Sequence, residues 1–239
     1  MNILAIGAHP DDVEYQCAGT LAKYASQGHQ IFIAAATSGN IGSAHHTMDE
    51  IAAIRKAEAR ASAAIIGAEY ICLEYDDEMF FEDKEARLKF IDLVRYCRAD
   101  VILTHYPEDY NPDHQLTSKI VRDIAVMIPI AHLKTPNPPN EIIPKLFYYE
   151  PVSGFKFIPT EYVDITDFMD VKLKKLGCHR SQVQWMSDNY KETSESGARF
   201  FENVSLTSRY RGMQCGVQFA EGYIRAMDAF RMTATRLLP

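Results

Sequence analysis

The sequence predicts an α/β protein: a Rossmann-like parallel sheet with helices on both faces, and a C-terminal α+β extension that walls a pocket. Three observations carry that expectation. Short apolar runs of strand length recur at 3–6, 31–36, 70–73 and 101–104, amphipathic stretches of helical length lie between them, and polar residues gather just after each run. Strands that are apolar throughout need cover on both faces, which strand–helix–strand alternation with right-handed crossovers supplies. Ligands of such sheets bind beyond the carboxyl ends of the strands, which here carry residues 9–12, 38–42, 76–77 and 105–114.

The first run, Ile3-Leu4-Ala5-Ile6, leads into a helix over 13–27, where Val13, Cys17, Leu21 and Tyr24 recur near helical spacing and Gly28 can stop it. The second run ends at Thr37-Ser38-Gly39-Asn40-Ile41-Gly42, whose small residues suit a turn close to a ligand. Thr47-Met48-Asp49-Glu50 fits a capping box, so a second helix starts there and runs through Ile66 to Gly67, a residue suited to a left-handed C-cap. The third run ends in Tyr75-Asp76-Asp77, a third helix covers 84–97, and the fourth run opens onto the polar segment 105–114. Beyond about residue 132 the pattern loosens, because Pro136, Pro138, Pro139 and Pro144 exclude a long helix. Strands are expected at 145–150 and 161–165, a helix at 167–182 and a closing helix at 218–232.

With 239 residues, 47% hydrophobic and 24% charged, the composition is that of one globular domain spanning 1–239, not of a disordered or fibrous chain. A net charge of -7 leaves no clustered Lys and Arg for nucleic-acid phosphates, and no apolar run reaches bilayer length, so a small molecule is the expected partner. The five cysteines are odd in number, widely separated and free of Cys-x-x-Cys pairs, as reduced thiols are. With no basic and then apolar leader after Met1, a cytoplasmic location is expected.

The chemistry concentrates at Gly7-Ala8-His9-Pro10-Asp11-Asp12. An imidazole and a carboxylate three residues apart at a strand end can close on one divalent ion, leaving Asp11 free to handle a proton. The same acidic pair can instead cap the helix that follows. A second polar cluster, His105-Tyr106-Pro107-Glu108-Asp109-Tyr110-Asn111-Pro112-Asp113-His114, can supply a third ligand. Two imidazoles and one carboxylate leave an open position on zinc, whose bound water ionises near pH 7.

Ala8-His9-Pro10-Asp11-Asp12 followed by Pro112-Asp113-His114 resembles the PIG-L/LmbE-like family of zinc-dependent N-deacetylases. Thr37-Ser38-Gly39, the helix Ile54-Arg55-Lys56-Ala57-Glu58-Ala59 and His179-Arg180-Ser181-Gln182 extend the resemblance over roughly residues 1 to 185. It implies His9, Asp12 and His114 as ligands of one zinc or similar divalent ion per chain. It also implies Asp11 as the general base and acid around a zinc-bound water, and an N-acyl, chiefly N-acetyl, amide of an amino sugar or related conjugate as substrate. Arg55 and Asp113 fall to substrate binding, and assembly into trimers or hexamers follows by analogy. One departure stands out: many members carry histidine where this chain has Asn111. Asn111 cannot shuttle a proton but can donate an amide N–H to an oxyanion, so it is assigned to catalysis in that form. By default Arg55 would be a solvated partner of Asp49 or Glu58.

Two other classes compete with the hydrolase. A sugar- or nucleotide-conjugate binder on this fold would have lost turnover, which Asn111 makes conceivable. A magnesium-binding receiver module would use Asp76 or Asp77 as phosphoacceptor, but it is far shorter than this chain and has no use for His9 or His114.

Overall fold

A strand buried on both faces needs apolar side chains at every position, and Ile3, Leu4, Ala5 and Ile6 in β1 (Asn2–Gly7) are all buried. The computed structural model describes residues 1–154, 156–189 and 197–227. Around β1 the sheet is built from β2 (Gln30–Thr37), β3 (Glu69–Tyr75), β4 (Val101–His105), β5 (Lys145–Tyr149), β6 (Glu161–Asp164) and β7 (Ala220–Arg225). Seven strands lie in the order β3-β2-β1-β4-β5-β7-β6. The strands from β3 to β5 pair in parallel, with Ile3 between Ile31 and Val101, whereas β7 runs antiparallel to both β5 and β6. The sheet is therefore mixed: the C-terminal extension continues the parallel sheet instead of standing apart from it.

Helices α1 (Asp12–Ser26), α2 (Met48–Ala64), α3 (Lys84–Cys97), α4 (Pro112–Ile124), α5 (Met169–Leu176), α6 (Arg180–Asn189) and α7 (Gly197–Cys215) complete the fold. Leu4 and Ile6 pack with Phe90 and Val94 of α3 and Ile120 and Ile124 of α4. Ile3 and Ala5 face the other way, onto Val13 and Leu21 of α1, Ala63 of α2, Leu176 of α5 and Val204 of α7. The capping box at Thr47 is formed: its hydroxyl accepts the Glu50 N–H and the Glu50 carboxylate accepts the Thr47 N–H. None of the described helices is long and apolar enough to cross a membrane.

The C-terminal third departs from expectation in three places. The helix expected over 167–182 is two, α5 and α6, separated at Gly177, and α7 was not anticipated. The closing helix expected at 218–232 is strand β7, and 228–232 lie outside the described residues. Pairing between β5 and β6 overrides the local periodicity there, and it brings Glu221 inward to a specific task. Helix α1 kinks at Cys17 (φ -136°), freeing backbone donors of the next turn. Glu221 accepts the Gly19 N–H at 3.0 Å and the Thr20 N–H at 2.7 Å, with Lys172 Nζ at 2.5 Å balancing its charge.

A second buried carboxylate ties α1 to α2 and the C-terminal helices. Glu14 accepts the Ser62 hydroxyl at 2.8 Å and lies 3.5 Å from Lys175 Nζ and 3.4 Å from His179 Nε2. Burial alone would raise its pKa, but His179 and Lys175 outweigh burial and bring it from 4.5 to about 2. A depressed carboxylate pKa contributes stability that is fully present above the unfolded value and lost as pH falls through the folded one. Glu14→Gln should therefore cost on the order of 3 kcal/mol at neutral pH. Urea midpoints of the two proteins should differ most near pH 7, with the gap at least halved near pH 3. An equal gap at both pH values would show that Glu14 acts through packing and not charge.

Candidate active site

After β1 the chain crosses through α1 to β2, and after β3 it returns through α3 to β4 on the other side of β1. The ends of β1 and β4 thus sit side by side where the strand order reverses, the place at which such sheets bind ligands. At the β1 end the chain turns so sharply that Asp12 folds back on Gly7. A Cβ on Gly7 would lie 2.9 Å from Asp12 Cβ, so only glycine fits. Asp12 Oδ2 accepts the His9 N–H at 2.6 Å, and Asp11 makes no side-chain cap, which removes the helix-capping reading of this pair. Asp11 also holds φ 144°, a region costly for a residue with a side chain and typical of functional turns.

At the β4 end, Asn111 is the N-cap of α4. Its Oδ1 accepts the N–H groups of Asp113 at 2.7 Å and His114 at 3.2 Å, Pro112 takes the first helical position, and Nδ2 donates to Glu78 Oε1 at 2.7 Å. Its Oδ1 is thus taken up by the helix start and one of its two amide hydrogens by Glu78. Asp113 likewise turns inward: its Oδ2 accepts the Glu78 N–H at 2.8 Å and lies 3.5 Å from His9 Nε2.

The two ends bring three donor groups to one point. His9 Nδ1 lies 3.4 Å from Asp12 Oδ2 and 3.3 Å from His114 Nε2, and His114 Nε2 lies 3.3 Å from Asp12 Oδ1. Two imidazole nitrogens and a carboxylate at this separation could close on one divalent cation. Behind them, Asp77 Oδ1 is 2.8 Å from His9 Nε2 and Asp109 Oδ1 is 3.0 Å from His114 Nδ1. His105 stacks on His114 at 4.0 Å between ring centres, and its Nε2 accepts the Ala8 N–H at 2.9 Å.

The charges follow from these contacts. Burial disfavours the imidazolium of His9, but Asp113, Asp12 and Asp77 outweigh it and hold its pKa well above the usual value. His114 is raised in the same way to about 9, with Asp12 and Asp109 overcoming burial. His105 falls to about 4, through burial and then the neighbouring His114, as its acceptor role toward Ala8 requires. Asp12 is held well below the carboxylate range because His114 and His105 outweigh its burial. Asp11 goes the other way: burial raises its pKa and Arg55 only partly offsets the rise.

Arg55 is only 4% exposed and pairs with neither Asp49 nor Glu58; Glu58 instead accepts the Ser181 hydroxyl and N–H. Its guanidinium donates to Gly39 O, Pro10 O and Asp11 Oδ1, each at 3.2 Å. Gly39 has φ +66°, and a Cβ there would strike Arg55 Nη1 at 2.4 Å, so the small-residue turn after β2 makes room for this guanidinium. Beside Asp109 and Tyr110 a cavity of about 420 Å³ opens, lined also by Pro151, Val152 and Lys156 of the extension but not by His9, Asp11, Asp12 or His114. Sequence reasoning missed Arg55 as a brace, and it missed Asp77 and Asp109 behind the histidines; the acidic residue at each strand end was the available signal. If the Asp11 carboxylate must be ionised for turnover, removing the Arg55 cation raises its pKa further. The acidic limb of kcat/KM for Arg55→Gln should then lie at higher pH than in wild type; an unmoved limb would disconnect Arg55 from Asp11.

Residues 4–125 match the family described as PIG-L, GlcNAc-PI de-N-acetylase. The chain is 24% identical over 217 residues to the 4-oxalmesaconate hydratase of Pseudomonas putida, covering 86% of this chain and 83% of the relative. It is 25% identical over 231 residues to the diacetylchitobiose deacetylase of Thermococcus kodakarensis, covering 92% and 81% of the two chains. The solved N,N'-diacetylchitobiose deacetylase of Pyrococcus horikoshii superposes with a TM-score of 0.80 at 23% identity, over 94% of this chain and 83% of that one, and so shares its fold.

Proposed function

The chain belongs to the PIG-L family of de-N-acetylases, and on that premise we propose that it hydrolyses the N-acetyl amide of an amino sugar or amino-sugar conjugate. The convergence of His9 Nδ1, Asp12 and His114 Nε2 beside an arginine-braced Asp11 carries this reading. The donor set fits zinc, which when bound supplies a Lewis acid for the acyl carbonyl and an activated water for the attack.

The chain's own residues manage the protons. Asp11 accepts the proton of the attacking water and returns it to the leaving nitrogen as the C–N bond breaks, giving acetate and a primary amine. Burial raises its pKa toward the range in which one carboxylate can serve as base and then acid, while Arg55 limits the rise. The contacts from Arg55 to Pro10 O and Asp11 hold the turn at its costly φ, so the carboxylate is oriented before substrate arrives. His105 keeps the plane of His114 by stacking and stays neutral. Asn111 contributes by starting α4 in the register that points His114 at Asp12. The amino-sugar substrate is supported by the family description and by the diacetylchitobiose deacetylase relative.

A second reading, a hydratase, is favoured by the Pseudomonas relative, because addition of water to a carbon–carbon double bond can use the same activated water and carboxylate. Only deacetylation releases an amine. Incubating zinc-supplemented protein with a panel of N-acetylated mono- and disaccharides should release acetate and primary amine in equal amounts. Asp11→Asn should retain the metal and lose about 10²-fold or more of kcat, the usual value of general acid–base catalysis. Asp12→Ala should lose both metal and activity. Absence of amine from every sugar, with hydration of 4-oxalmesaconate, would replace the deacetylase reading; an Asp11→Asn variant at wild-type rate would remove Asp11 from the reaction.

A further inference from the structure

The two histidines of the donor set present opposite nitrogens to the shared point, His9 its Nδ1 and His114 its Nε2. Beside the remaining nitrogen of each ring stands a buried aspartate from a different loop: Asp77 Oδ1 lies 2.8 Å from His9 Nε2, and Asp109 Oδ1 lies 3.0 Å from His114 Nδ1. A neutral imidazole carries one N–H and one bare nitrogen, and only the bare nitrogen binds a metal. A carboxylate that accepts the N–H therefore chooses the tautomer, sets the ring plane and makes the opposite nitrogen a better donor.

We propose that Asp77 and Asp109 are the positioning residues of the metal centre, each fixing by its contact with one histidine the nitrogen that the ring offers to the ion. The proposal deepens the function given above and rests on His9, Asp12 and His114 being the ligands.

Both carboxylates are set in place independently of the histidines. Asp77 follows β3, where its N–H donates to Asn40 Oδ1 at 3.0 Å while Asn40 Nδ2 donates to Asp76 Oδ1 at 2.7 Å. Asn40 belongs to the same small-residue turn that houses Arg55, and Arg55 Nη1 stands 3.9 Å from Asp77 Oδ2. The turn after β2 thus fixes Asp11 through Arg55 and His9 through Asp77. Asp109 is held by the Asn111 N–H on Oδ1 at 3.2 Å and by Gln115 on its backbone carbonyl. Asp113 is the other carboxylate near His9 Nε2, but at 3.5 Å it is farther away, and the Glu78 N–H already occupies its Oδ2. It serves the Glu78 turn first.

The test uses the full chain and zinc alone as probe. Zinc dissociation constants are measured by competition with a chromophoric chelator for wild type and for Asp77→Ala, Asp77→Asn, Asp109→Ala, Asp109→Asn and Asp12→Ala, with the melting temperature of each metal-free protein recorded alongside. Removing a carboxylate behind a ligand histidine typically weakens metal binding 10- to 100-fold, so both alanine variants should fall in that range. The asparagine variants should fall between, because an amide oxygen still accepts the N–H but without charge. Metal-free melting temperatures should stay near wild type, and the visible absorption of the cobalt-substituted protein should shift in the alanine variants. Zinc affinities within twofold of wild type in both alanine variants would overturn the proposal. So would a loss of affinity confined to variants whose metal-free form is already unfolded. Should Asp12→Ala abolish binding while Asp77→Ala and Asp109→Ala do not, this proposal alone fails. A wild-type chain that binds no zinc would take the ligand assignment down with it.

Discussion

Because β1 pairs with β2 on one side and β4 on the other, the chain leaves the ends of β1 and β4 in opposite directions, and the gap between their loops cannot be filled by backbone from either. Everything at the site depends on that pairing. It places the His9–Asp12 turn 3.3 Å from His114 in the first turn of α4, although about a hundred residues separate them along the chain. The remaining features hold the two loops at this approach: Gly7 admits Asp12, Asn111 starts α4, and Arg55 ties Pro10 to Gly39.

Electrostatics explains why so many elements take part. Asp11, Asp12, Asp77, Asp109 and Asp113 crowd a small volume against Arg55, His9, His105 and His114. Carboxylates at such density repel one another strongly where water is excluded, and they persist only if each has a positive or hydrogen-bonding partner. A divalent cation held by His9, Asp12 and His114 would add the compensation that such a cluster needs. Asp11 remains the exception, with burial favouring its protonated form and Arg55 opposing, which is the poise a proton-transferring group requires.

The parallel half of the fold was legible because its signals are local. Apolar runs, the Thr47–Glu50 box and Gly67 each act within a few residues, and the strand ends named the loops that meet. The closing strand was not legible, since Ala220–Arg225 becomes β7 only by lying between β5 and β6 and turning Glu221 onto the kinked α1. The burial of Arg55 was hidden for the same reason: on an isolated helix it is an exposed cation, and only the Gly39 turn, folded against it, makes it a buried brace. Asn111 had a local signal that went unused, because Asn before Pro at a helix start is a capping pattern. For Asp77 and Asp109 the sequence shows only acidic residues at strand ends, and their approach to His9 and His114 exists only in three dimensions.

Whether one divalent ion sits between the ends of β1 and β4 is read most directly by anomalous diffraction from crystals grown with zinc, recorded on both sides of the zinc absorption edge. One strong anomalous peak per chain is expected, within bonding distance of His9 Nδ1, Asp12 and His114 Nε2. A peak bound by any other set of side chains, or none in crystals that diffract well and hold this turn intact, would contradict it.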